Sequence, residues 1–180
     1  MRYEMIYEKI NVAKYHPSIR ILHWLMFVLF AIIFVFGIVM VEFKEAEPWL
    51  MYNIHKATGV LVLLLVLLRI AARWLTQIPP PPFEMSLLNH RIAQFVVYLF
   101  YALMIIVPIS GYALSNIHGY DVHFYGLTLP KIFPTEPAWE KITELLHYYL
   151  AYSFLWFFLL HLLGVIKHHV SGLEILRRIT

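Results

Sequence analysis

The chain has no cysteine among its 180 residues. That excludes disulfides, cysteine-ligated iron–sulfur clusters, thiolate-ligated haem and the covalent haem attachment that needs a C-x-x-C-H run. Charge is also scarce: 14% of residues are Asp, Glu, Lys or Arg against 61% hydrophobic, and the mean hydropathy is +0.70. A water-soluble domain needs far more charge to cover its surface, so the composition describes an integral membrane protein surrounded by lipid. The formal charge of +3 and pI near 9.1 come from basic residues at the ends of apolar stretches, not from one patch. They read as topology signals, and no nucleic-acid partner is expected. Histidine, by contrast, is abundant, with ten copies. Any metal here is held mainly by imidazole, with methionine thioether as a minor ligand.

Four apolar stretches organise the chain. Residues 1–20 are polar and mixed in sign and form an N-terminal segment. The spans run over about 21–41, 54–75, 91–114 and 145–166. The second, at 22 residues, gives roughly 33 Å of helix, enough to cross a bilayer. The first lacks a small-residue cleavage site and exceeds a signal-peptide core in length, so it is expected to remain in the mature protein. The prolines of 78–83 (IPPPPF) end the second span as a stiff connector, and Pro108 is a kink position within the third. The loop 115–141 is the longest, and residues 171–180 form a basic tail. The expected fold is all-α: a four-transmembrane-helix bundle, its membrane domain covering 21–170, with no room for a soluble domain within these residues.

Orientation follows from Lys and Arg. Arg2, Lys9, Lys14, Arg20, Arg69, Arg73, Arg91, Lys167, Arg177 and Arg178 fall on one side, and Lys44, Lys56, Lys131 and Lys141 on the other. The positive-inside rule then places both termini in the cytoplasm. Trp24 and Trp74 fall at the inner interface and Trp49 and Trp139 at the outer, as an aromatic belt does. Trp156 lies mid-span, where packing is its expected role.

Imidazoles inside a membrane are functional candidates. His161 follows His147 by fourteen residues, close to four helical turns, so both leave one face of the fourth helix, roughly 21 Å apart. With the N-terminus inside, His23 shares the inner depth with His161, and His55 shares the outer depth with His147. Two imidazoles from different helices meeting at one depth supply the two axial ligands of a haem b iron. Two such pairs predict two haems b within the bundle, with His23, His55, His147 and His161 as iron ligands. A zinc or copper site would need three or four ligands converging at one depth.

Glycines fit this scheme. Gly37 is fourteen residues beyond His23 and shares its face, Gly59 is one turn from His55, and Gly111 reaches the outer level of the third helix. They either make room for a porphyrin or serve close helix packing. At the inner side, His168 with Arg20, Arg73 and His169 either lines a pocket for a quinone headgroup or belongs to the snorkelling residues of the interface. His90, His118 and His123 read as surface or loop residues, and His16, before Pro17, has no evident partner.

These residues together resemble the bacterial cytochrome b561 family of small four-helix, di-haem membrane cytochromes. The elements that carry the resemblance are YHPSIRILHW (15–24), HKATGVLVLLLVLLRIAAR (55–73) followed by the prolines, PISGYALS (108–115), GYDVHFYGLTLP (119–130), and LLH through KHH (145–169). RILHW is shared with cytochrome b subunits of hydrogenases and formate dehydrogenases, whereas the GYDVHFYGLTLP loop and the terminal KHH are far more specific. The resemblance implies haem ligation by His23, His55, His147 and His161, and a quinone near His168. The chain departs from the family at Gln94, where many members carry histidine; neither pair uses that position.

The function the resemblance implies is electron transport across the membrane, as in a respiratory chain. Two haems would exchange electrons with ubiquinone or another member of the quinone pool and with an unidentified, periplasmic redox partner. A superoxide oxidase is the enzymatic variant. It would attract an anion, yet the outer side carries Glu42, Glu45, Glu47, Asp121, Glu136, Glu140 and Glu144 against four lysines, leaving Lys56 or Lys131 to make a local positive funnel. The same residues would also suit the cytochrome b anchor subunit of a larger oxidoreductase, or a haem-free bundle whose histidines are structural.

Overall fold

The computed structural model describes residues 13–43, 49–81, 85–173 and 175–180. Most of the N-terminal segment and the acidic residues Glu45 and Glu47 lie outside the described residues. Four helices dominate: α1 (Pro17–Glu42), α2 (Trp49–Leu75), α3 (Leu87–Ile117) and α4 (Glu140–Val170). All four are long and apolar enough to cross a membrane. Each overruns its apolar stretch, because helical hydrogen bonding can continue into the headgroup region.

Local chemistry sets the helix starts. Pro17 opens α1 with a φ already suited to a helix and no N–H to satisfy. His16 caps it, its Nδ1 accepting from the Ser18 backbone N–H at 3.3 Å. That gives His16 a structural role that its position before a proline did not reveal. Ser86 caps α3 by accepting from the Asn89 N–H at 3.3 Å. Pro108 sits inside α3, which continues through it to Ile117.

The backbones of α1 and α2, α2 and α3, and α3 and α4 approach one another closely. Between α4 and α1 the bridging is by aromatic side chains. The Phe154 ring lies 4.7 Å from Phe30 and 5.8 Å from Phe34, and Phe158 lies 5.7 Å from Phe27. The core is a central layer drawn from all four helices, including Met26 and Phe30, Val62 and Val66, Leu103, and Phe154. Trp156 is not part of it. It is 66% exposed and faces outward, because it stands two residues, or about 200°, around α4 from Phe154.

Two features depart from the expected loops. The α3–α4 connection contains an antiparallel hairpin, β1 (Val122–Phe124) with β2 (Leu127–Leu129), turned by Tyr125 and Gly126, both at positive φ. Positive φ at both central residues is the geometry of a two-residue hairpin turn. The tail is docked rather than trailing. Arg178, 7% exposed, donates to the carbonyls of Ala13 (3.3 Å) and Pro79 (3.0 Å) and to that of Pro80, and the Tyr15 N–H donates to the Arg178 carbonyl at 3.0 Å. The proline run is therefore more than a connector. Prolines form no internal hydrogen bonds, so their carbonyls are free to accept. Both ends of the described chain meet at the end of the bundle opposite the hairpin.

Candidate functional site: two interior imidazole levels

At the hairpin end, α2 presents His55 and α4 presents His147, with ring centroids 6.2 Å apart and planes at 87°. Each ring is fixed through its Nδ1. That of His55 lies 3.0 Å from the Ile33 carbonyl on α1; a carbonyl only accepts, so this nitrogen carries the proton. His147 Nδ1 lies 2.9 Å from Ser110 Oγ, whose own proton goes to the Val107 carbonyl at 2.7 Å. The serine proton is already used, so His147 is again the donor. In both rings Nε2 is left as the lone-pair nitrogen, which is the arrangement a metal-ligating histidine adopts.

Glycine makes both contacts possible. A Cβ on Gly37 would stand 3.0 Å from His55 Cε1, and one on Gly111 would stand 2.8 Å from His147 Cε1. The spacing is the same on both helices: Gly37 is four residues past Ile33, and Gly111 four past Val107. In a helix the residue four ahead lies over the carbonyl it bonds, so a bare glycine there opens the carbonyl to an outside donor. Gly59 plays no such part; a Cβ there would meet Ile33 Cδ1 at 3.7 Å, an ordinary contact.

At the opposite end, α1 presents His23 and α4 presents His161. The His161 ring packs edge-on against Phe100 at 5.3 Å, and His23 against Trp24 at 5.5 Å. The Arg69 guanidinium from α2 lies beside both imidazoles, 3.1 Å from His23 Nδ1. Midway along α4, seven residues from each histidine, Phe154 is 2% exposed and packs on Phe30, Phe34 and Phe100. An aromatic layer therefore separates the two levels.

Whether these residues suit a haem can be judged from the His55–His147 pair. An iron held at roughly 2 Å by a nitrogen on each side, each nitrogen about 1 Å from its ring centre, sets the centroids roughly 6 Å apart. The observed 6.2 Å fits. Among the described residues no three of His, Cys, Asp or Glu converge on one point.

Of the other candidates, Arg20, Arg73 and His168 are half-buried toward the tail end, and no hydrogen bond or ion pair joins them to one another among the described residues. The Arg20 Nε is buried without a partner. At the hairpin end, Lys56 donates to the Asp121 carbonyl at 3.3 Å and lies over the Tyr120 ring, while Lys131 lies 3.5 Å from Asp121 and donates to the Gly119 carbonyl. Both lysines are thus engaged by the loop. His118 stacks on Tyr120, and His123 hydrogen bonds Thr128.

The sequence pattern did not single out Arg69, Phe154 or Asn116. Asn116, fully buried, accepts from the Ile132 and Phe133 N–H groups and donates to the Tyr120 carbonyl, which ties the long loop down beside the Gly111 turn. A polar residue at the end of an apolar helix was its only signal.

Four membrane-length helices carrying interior imidazoles suit the class of membrane cytochromes, proteins of electron transfer. The chain belongs to the prokaryotic cytochrome b561 family, which it matches over residues 14–180. It is 26% identical over 152 residues to cytochrome b561 homolog 2 of Escherichia coli K12, covering 82% of this chain and 80% of that one. Family members typically bind haem b.

Proposed function

We propose that the protein carries electrons across the bacterial inner membrane on two haems b. One would be held by His55 and His147 and the other by His23 and His161, in exchange with the quinone pool. The observation that carries this reading is the 6.2 Å approach of His55 and His147, with each Nδ1 anchored as a donor and each Nε2 left to a metal. When bound, haem iron takes up and releases one electron at a time. The chain's part is to hold the imidazoles. Ile33, and Ser110 with Val107, fix ring orientation and tautomer, and donation from Nδ1–H raises the basicity of the ligand. The layer around Phe154 excludes water between the levels and keeps the dielectric low.

The positive-inside count supports a cytoplasmic location for both termini, which puts the His23/His161 level on the cytoplasmic side. The buried, unpartnered Arg20 Nε supports a polar ligand there, and a quinone headgroup held near Arg20, Arg73 and His168 meets that chemistry. The hairpin side then faces the periplasm and its redox partner. Superoxide gains no support from Lys56 and Lys131, since both are occupied.

A reduced-minus-oxidised spectrum of the purified protein should show haem b bands, with two haems per chain. His55→Ala should lose the haem at the hairpin end and keep the other, and His161→Ala should do the reverse. A colourless protein after expression with ample haem would end this reading, and retention of both haems in either variant would end the pairing.

A further inference from the structure

Arg69 is an unusual residue for its place. It lies in the apolar stretch of α2, a full turn inside Arg73, and it is half-buried. Arginine stays charged in proteins and only donates. A cation at this depth is normally paired with an anion. Yet its bonded partner is the neutral ring of His23, at 3.1 Å. Among the described residues the side-chain carboxylates are Glu42, Asp121, Glu136, Glu140 and Glu144, and all of them stand toward the hairpin end. Arg69 has no countercharge within reach from any of these.

The contact with His23 is also incompatible with ligation. Because Arg69 donates, His23 Nδ1 accepts, so the ring proton sits on Nε2. An imidazole that binds iron through Nε2 must carry its proton on Nδ1 instead, as His55 and His147 already do. Two donors then face each other, and Arg69 must leave His23 when iron binds. Leaving an arginine unpaired in that setting is costly. An anion that arrives with the metal would take it. Haem b brings two carboxylates of its own, and a guanidinium is the two-pronged donor that a carboxylate fits.

We propose that Arg69 is the charge partner of a carboxylate of the haem held by His23 and His161, and that its bond to His23 belongs to the chain before that haem is bound. The proposal rests on the di-haem reading. It adds a binding residue to one level only, since the His55–His147 level is built on backbone carbonyls and a serine.

The test is the rate at which haem passes to an excess of apomyoglobin, compared between wild type and Arg69→Gln. Each protein is produced with ordinary haem and with its dimethyl ester, which lacks free carboxylates. With ordinary haem, Arg69→Gln should lose one of its two haems roughly tenfold to a hundredfold faster, the other unchanged, as expected for loss of a charge-assisted pair. With the ester, wild type and variant should agree within about twofold, since a true pair shows up as coupling in such a cycle. Equal loss rates with ordinary haem would overturn the proposal. So would the same acceleration with either haem, which would mark Arg69 as a general support or the partner of a protein carboxylate. If Arg69→Gln does not accumulate, Arg69→Lys carries the same comparison, with a smaller acceleration expected and the same dependence on the free carboxylates. A wild type that binds no haem would instead defeat the di-haem reading itself.

Discussion

At the scale of single residues, the most consequential are those with least chemistry of their own. Gly37 and Gly111 each stand four residues past a carbonyl that an imidazole or its serine engages. Of the two, Gly111 is the tighter, with a Cβ falling 2.8 Å from the His147 ring. That overlap cannot be relieved cheaply, because the ring can back away only by giving up its Nδ1 bond to Ser110, the residue beside Gly111 on the same helix. Gly111→Ala should therefore displace His147 and lower haem affinity at the hairpin level by roughly 10–100-fold, the range for disturbing a ligand's supporting contacts. On the di-haem reading proposed above, the haem-to-protein ratio after purification should drop from two toward one while the other haem remains. Gly59→Ala, at 3.7 Å from its nearest neighbour, should leave the ratio unchanged. An equal loss in both variants would show that bulk in the bundle, not ring placement, is what these glycines govern.

Among the elements, α4 is decisive, because one face carries His147, Phe154 and His161 at intervals of seven residues. Phe154 is the keystone of the aromatic layer, in ring contact with three other phenylalanines. Phe154→Ala should cost about 3–5 kcal/mol, as for other large-to-small core changes, and should lower the unfolding temperature in detergent. Trp156→Ala, on the exposed side of the same helix, should change it little. Equal shifts would contradict the layered core. The four helices were legible from the length of the apolar stretches alone, and so were the interior imidazoles as candidates, since polar groups stand out against hydrocarbon. The supporting contacts were not. Arg69 counts as one more topology charge until α2 is seen to turn it toward His23. The hairpin spans only three residues per strand, too short for a period to register. The shared spacing of Ile33 with Gly37 and Val107 with Gly111 acquires meaning only once a neighbouring helix brings an imidazole to it.

For the molecule as a whole, the two ends are closed by different means. At one end Asn116 and the hairpin cover the His55–His147 level. At the other, Arg178 joins Ala13, Pro79 and Pro80, and the Trp24 indole donates to the Ile179 carbonyl at 3.0 Å. Arg178→Ala should remove hydrogen bonds to a charged group worth about 1.5–3 kcal/mol. A drop of roughly 5 °C in the unfolding midpoint should follow for a chain of this size. Lys141→Ala, which breaks an exposed pair with Glu144, should move it by no more than about 1 °C. If the Arg178 variant matched the Lys141 variant, the clasp would be incidental. Because the clasp brings residue 13 beside residue 178, the described chain is in effect a closed circuit through the bilayer. A short peptide link from residue 180 to residue 13 would add little strain, and the break could be moved to the hairpin tip at Gly126, where no atom lies within 4 Å of an added Cβ. The order in which the helices are encoded is thus separable from the order in which they pack, and a circular permutant should bind the same cofactors in the same places.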